Sequence, residues 1–464
     1  MTEERPVTLA GQLACALLAL ALGAAPSLAA TDTAEHTLAN GMRVIVKPDR
    51  RAPVAVAVLY YKVGSIDEVN GTTGVAHVLE HMMFKGTPAV GNGEYAKTVA
   101  KAGGTYNAFT SHDFTGYYAA LQKSEFPLVL ELEADRMTNL LLSEEEFSKE
   151  IKVVMEERRW RTDDQPRALV IEQLMATALT AHPYRSPIIG WMNDLERMRI
   201  EDVREFYRRW YVPNNALLVV VGDVEPSQVF ALAERHFGAI PAGILPERKP
   251  QVEPPQRGLR RAVVKAPAEL PYLTMVFHAP LLRDPERDWE PYALEMLAAV
   301  LSGHEAARLR RALMREDRLA SAASASYDGV ARGPGLFYLS ATPTPGRSLD
   351  ELERGLRREM AKIIEEGVGD AELDRVKAQA IAEQVYQRDS MFFQARQIGV
   401  LEIAGIAHGT IDLQLKKLRE VTPEQVREVA LKYFRDDLLT IVELDPQSLA
   451  GRRPAAPPAG LRHE

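Results

Sequence analysis

Two histidines four residues apart flank a glutamate in His77-Val78-Leu79-Glu80-His81, the only pair among ten histidines spaced for shared ligation. On a helix, positions i and i+4 lie about 40° apart around the axis, so both imidazoles project from one face. Two such imidazoles can reach a single zinc ion at about 2.0–2.1 Å. Glu80 follows His77 by three residues, close enough to touch a metal-bound water without ligating the metal. The order is His-x-x-Glu-His, the inverse of the commoner His-Glu-x-x-His motif of zinc peptidases. Catalytic zinc needs a third protein ligand and one open position. The single cysteine, Cys15, lies in an apolar N-terminal segment, so thiolates are excluded and a carboxylate is expected. Glu150 and Glu157 stand seven residues apart, about 20° from each other on one helical stripe, with Phe147, Ile151 and Val154 as the packing face.

The elements that must position these groups follow from apolar periodicity. Residues 42–46 and 54–61 read as strands, the second buried on both sides. Residues 74–84 have helical character, and 91–102 form a short helix ending at Gly103-Gly104. Residues 105–110 and 115–121 read as a hairpin. A helical stretch runs from 125 to about 160, broken near Leu142-Ser143, where Ser143 is an N-cap with Glu146 three residues on. Two further helices lead to a strand at 216–221. The segment 240–258 carries Pro241, Pro246, Pro250, Pro254 and Pro255 without apolar period and reads as a linker.

A second series of strands and helices starts near Arg261. Val203-Arg204-Glu205 leads to the strand at 217–221, and Val426-Arg427-Glu428, 223 positions later, leads to one at 438–442. The repeat suggests duplication. The expected fold class is α+β, with two homologous domains, each a mainly antiparallel sheet covered by helices. The divisions are a signal peptide at 1–30, a zinc-bearing domain at 31–240, a Pro-rich linker at 241–260, a homologous domain without zinc at 261–447 and a disordered tail at 448–464.

The sequence resembles the pitrilysin/insulinase family of zinc metallopeptidases, which includes the mitochondrial processing peptidase. The match runs from about residue 36 to 445. It rests on residues 74–87 around the histidine pair, on Gly103-Gly104-Thr105-Tyr106-Asn107-Ala108-Phe109-Thr110, on Val153-Val154-Met155-Glu156-Glu157, and on Tyr211-Val212-Pro213-Asn214-Asn215 followed by Val221-Gly222-Asp223. The resemblance implies one zinc per chain held by His77, His81 and Glu157, the last 76 positions after the second histidine and not its neighbour Glu156. It implies that Glu150 supports the site from behind, and that Glu80 takes a proton from a water whose pKa zinc lowers toward ~7. It also implies that Asn107, Ala108, Phe109 and Thr110 form an edge strand to which peptide substrate adds as another strand.

Self-sufficient members of that family carry an Arg and a Tyr seven positions apart in the second half, where they bind substrate and stabilise the oxyanion. Here those positions are Met314 and Ser321. The resemblance therefore implies the zinc subunit of a heterodimer, whose homologous partner supplies the Arg/Tyr pair. A non-catalytic scaffold of the same fold is the alternative, and it predicts a degraded motif, whereas all four positions are intact.

Length and composition agree with a folded globular chain of two or more domains. Of the 464 residues 46% are hydrophobic, enough for more than one core. The net charge of −8, with Lys and Arg interleaved among acids, argues against a nucleic-acid partner. Residues 9–25 are almost wholly apolar, and Ser27-Leu28-Ala29 offers small residues for cleavage. That pattern predicts a removed signal peptide, a periplasmic or otherwise secreted mature chain, and no membrane span in it.

Overall fold

The computed structural model describes residues 33–450. The expected signal peptide, Cys15 and the tail beyond 450 lie outside the described residues. The first half builds a six-stranded sheet from β1 (Ala34–Thr37), β2 (Arg43–Pro48), β3 (Val54–Tyr61), β4 (Thr105–Thr110), β5 (Thr115–Gln122) and β6 (Ala216–Gly222), in the order β1-β2-β6-β3-β5-β4. Only β2 and β6 run parallel. The second half builds a five-stranded sheet from β7 (Arg260–Pro267), β8 (Tyr272–Ala279), β9 (Ala320–Tyr327), β10 (Gly335–Pro343) and β11 (Leu439–Gln447), in the order β7-β11-β8-β10-β9. With β1 set aside, the two orders coincide, and the one parallel pair, β7 with β11, falls at the same place. The halves are two homologous α+β domains. Their last strands begin 223 positions apart.

Both faces of the first sheet are apolar, and each finds a different cover. Val44, Val46, Ala57, Leu59 and Tyr61 pack under helices of the same half, among them Val75–Met82, Phe126–Asn139 and Ile200–Trp210. Ile45, Val56, Val58, Tyr60, Val219 and Val221 pack instead against Ala395, Ile398 and Ile403 of the helix Met391–Ala404, which belongs to the second half. The arrangement is reciprocal. Val170, Leu174 and Ala178 of the first-half helix Pro166–Ala178 pack on Val276, Val442 and Leu444 of the second sheet. Each half lends a helix to the other, so neither sheet has both faces covered by its own half.

The predicted helical stretch breaks where expected, into Phe126–Asn139 and Glu144–Arg158. The Ser143 hydroxyl accepts the Glu146 N–H at 3.2 Å. The chain then continues into a π-helical turn, Arg159–Asp163, and residues 241–257 form neither helix nor strand. Among the described residues no single helix is long and apolar enough to cross a membrane.

Candidate metal centre

The helix Val75–Met82 is fixed at its start by backbone geometry. Gly74 has φ +88, and a Cβ there would meet the Ile189 carbonyl oxygen at 2.5 Å. Only glycine allows the approach. The Glu68 carboxylate accepts the N–H of Gly74 at 2.8 Å and of Ala76 at 2.9 Å, satisfying two donors that a helix start leaves free. Val75, Ala76, Val78, Leu79 and Met82 are buried in the first core, which sets the helix's rotation.

That rotation brings His77, His81 and Glu157 together, each offering a ligand atom within 4.8 Å of the others. Glu157 Oε2 lies 3.3 Å from His81 Nε2 and 3.9 Å from His77 Nε2. Ligands placed tetrahedrally around zinc at about 2.0–2.1 Å are about 3.3 Å apart, so the trio is near the required spacing. Glu157 Oε2 and His77 Nδ1 are buried without hydrogen-bond partners. An anionic oxygen left buried in this way is costly unless a cation meets it, which fits a metal. Glu156 faces outward, its carboxylate paired with Arg159, so the structure brings Glu157 and not its neighbour to the histidines.

Other contacts orient these groups. His81 Nδ1 is 2.9 Å from Glu150 Oε1, and Lys85 pairs with the other oxygen of Glu150. Arg161, on the π-helical turn, donates to Glu157 Oε1 at 2.7 Å, leaving Oε2 toward the histidines. Thr110 Oγ1 donates to Glu80 Oε2 at 2.6 Å, tying the motif glutamate to the end of β4.

Burial, reinforced by the charge of His81, brings His77 down to about 3, so its imidazole is neutral and can donate a lone pair. Burial also acts to lower His81, but the carboxylates of Glu150, Glu157 and Glu80 outweigh it and raise the group to about 9. Burial raises Glu157, yet His81, His77 and Arg161 bring it down to about 2. The centre thus sets a fixed carboxylate against one neutral imidazole and one charged one, and His81 must give up its proton to ligate a metal.

β4 forms one edge of the first sheet, with β5 on its other side. Its four named residues are not alike. The Ala108 side chain is buried in the core, Phe109 packs edge-on to Tyr60 and Phe392, and Thr110 holds Glu80. In the second half, Met314 lies on the π-helical turn Arg310–Glu316 against the core, and Ser321 on β9, its hydroxyl 3.3 Å from the carbonyl oxygens of Thr342 and Pro343. Sequence reading missed Arg161, Lys85 and Glu68. The first two follow Glu157 and His81 by four residues, a spacing that could have marked them. Glu68 lies in a loop and carries no such signal.

Comparison with known proteins agrees with this architecture. Residues 43–191 match the family described as Insulinase (Peptidase family M16), and residues 197–380 match the one described as Peptidase M16 inactive domain. The chain is 33% identical to Zinc protease PqqE of Helicobacter pylori over 88% of its own length and 92% of that protein's. It superposes on the crystal structure of a protease from Helicobacter pylori with a TM-score of 0.85 and 31% identity, covering 90% of this chain and all of that one. The periplasmic protease PqqL of Escherichia coli shares the fold at 20% identity and TM-score 0.77, over 91% of this chain and 49% of that one. The chain belongs to peptidase family M16, the insulinase/pitrilysin family, and relatives in it are named zinc proteases.

Proposed function

We propose that this protein is a zinc-dependent endopeptidase that cleaves peptides or unfolded segments. Residues 31–240 form the zinc-bearing domain, 241–260 the linker and 261–447 the homologous domain without zinc. The supporting observation is the convergence of His77, His81 and Glu157, with the Glu80 carboxylate beside them. The three hold one zinc ion per chain, and Glu150 keeps His81 turned toward it. Zinc so bound supplies Lewis acidity, lowering the pKa of water toward ~7 and polarising a peptide carbonyl. Glu80 acts as general base at its carboxylate and then returns the proton to the leaving amine nitrogen. Thr110 donates to one Glu80 oxygen and so fixes the carboxylate beside the metal-binding residues. As an edge strand, β4 offers the main-chain donors and acceptors not paired with β5 to an extended peptide, which suits varied sequences.

Met314 and Ser321 occupy the places where a substrate-binding Arg and Tyr are expected, which supports a heterodimer with a homologous partner supplying both. The apolar leader supports export and a periplasmic or otherwise secreted location. The test is zinc analysis with a cleavage assay on unfolded protein, alone and with co-purified partner. Glu80→Gln should keep its zinc and lose cleavage by about 10²–10⁴-fold. Full activity in that variant, or a zinc-free native protein, rules the proposal out.

A further inference from the structure

Away from the metal centre, a cavity of about 710 Å³ opens where the first half, the linker and the second half meet. Its wall includes Asp67 and Arg185 of the first half, Arg248 and Lys249 of the linker, and Arg332 from the loop between β9 and β10. The Asp67 side chain is 5% exposed and takes two guanidiniums at once. Arg248 Nε donates to it at 2.9 Å, and Arg332 donates with Nη1 at 3.0 Å and Nη2 at 3.2 Å. Further contacts fix both cations. Arg248 lies over the Trp210 ring at 4.6 Å, and Arg332 donates to the Asp113 carbonyl at 3.0 Å.

One carboxylate does not neutralise this set. Arg248 also donates to the Lys62 carbonyl, and burial, together with the charges of Arg332 and Arg248, pulls the Lys62 ammonium below the usual lysine range. Among the described residues neither Lys62 nor Lys249 has an ion pair, and Nη1 of Arg248 has no hydrogen-bond partner. The other acids at the wall offset little of the excess. Glu68 is turned to the N–H groups of Gly74 and Ala76, and Glu247 is exposed on the linker. Cations gathered in a partly buried wall in excess of carboxylates repel one another and favour an anion between them. Guanidinium forks beside a lysine match the oxygens of a phosphoryl group, and the cavity is of the size of small-ligand sites.

We infer that this cavity binds an oxyanion of the phosphate class, held by Arg185, Arg248, Lys249 and Arg332. These four come from three segments of the chain, so a bound anion ties the linker and the second half to the first. Free phosphate or pyrophosphate and the phosphate chain of a nucleotide share the chemistry required. The site is independent of the peptidase reading, since none of His77, His81 and Glu157 lines the cavity.

The test is isothermal titration calorimetry of the full chain, zinc-loaded and zinc-free, with inorganic phosphate, pyrophosphate and ATP. Thermal melting follows the same ligands, with sodium chloride at matched ionic strength as the control. Pyrophosphate should bind at one site per chain with or without zinc, and should raise the melting temperature by a few degrees at saturation. Lys249→Glu and Arg185→Glu, both at exposed side chains, should fold as wild type and each weaken binding by about tenfold or more. Tighter binding of ATP than of pyrophosphate assigns the source to a nucleotide, and equal or weaker binding assigns it to free phosphate. No binding, binding that requires zinc, a melting shift that chloride reproduces, or affinity undiminished in both variants overturns the site. A chain that takes up no zinc refutes the peptidase reading and leaves the zinc-free titration to decide this one.

Discussion

Glu157 carries a negative charge in a nearly closed space, and its two oxygens have different duties: one is taken by Arg161, the other faces the imidazoles. Glu156, a single position away, spends its charge on Arg159 at the surface. Glu157→Ala should therefore abolish stoichiometric zinc retention, whereas Glu156→Ala should leave it within about twofold, measured by competition with a chromophoric chelator. Glu150→Ala should fall between, weakening affinity by about 10–100-fold because His81 loses the partner that fixes its ring. Equal losses for the two neighbouring glutamates would refute the assignment. The histidine pair was legible in the sequence because a spacing of four is a local property of one helix. Which glutamate joins the pair was not, since Glu150 and Glu157 share a stripe and only the packing of Glu144–Arg158 on the histidine helix sets their different places. The family resemblance supplied what periodicity could not.

At the scale of elements, the histidine helix is short, eight residues, and such a helix is marginal without help at its ends. Glu68 provides that help by accepting two N–H groups at its start. Glu68→Ala should cost about 0.5–2 kcal/mol, the usual cost of losing a cap, and should loosen the helix before the rest of the domain. Hydrogen exchange should show faster turnover at the amides of Gly74 and Ala76 than in β3. Unchanged protection at those two amides would count against a capping role. The strands at 42–46, 54–61 and 216–221, the hairpin and the Ser143 cap were readable from apolar runs and turn chemistry, whereas β1 was not. The partners of Pro166–Ala178 and Met391–Ala404 were not, because an apolar stripe states that a face is buried without naming the surface that buries it.

The exchange of helices makes the two halves interdependent, and charged ties reinforce it. Arg43 on β2 pairs with Glu402 on Met391–Ala404 at 2.7 Å, and Glu402 also accepts from His408. Burial acts to raise Glu402, but His408 and Arg43 outweigh it and bring the carboxyl down to about 2. A depressed carboxylate stabilises the folded state above its unfolded pKa of roughly 4.3, and that stability is lost as pH falls toward 2. Glu402→Gln should therefore lower the melting temperature by a few degrees at pH 6, with the difference from wild type vanishing between pH 4 and 2. The same interlocking predicts how the chain fails when divided. Expressed alone, 33–240 would expose Val56, Val58, Tyr60, Val219 and Val221 on one sheet face, together with Val170 and Leu174 of the lent helix. Apolar faces of that extent drive association, at about 25 cal/mol for each Å² they hide. The isolated half should aggregate or remain partly unfolded, and co-expression with 258–450 should restore a soluble complex that retains zinc. Placing a side chain where Gly399 meets the Tyr60 ring, at 2.3 Å from a Cβ there, supplies the control within the intact chain. Gly399→Val should raise protease sensitivity within 388–410 while His77, His81 and Glu157 stay in place. If the separated half proves monomeric, soluble and cooperative in unfolding, the lent helices are ornaments on two independent domains and the interdependence argued here is wrong.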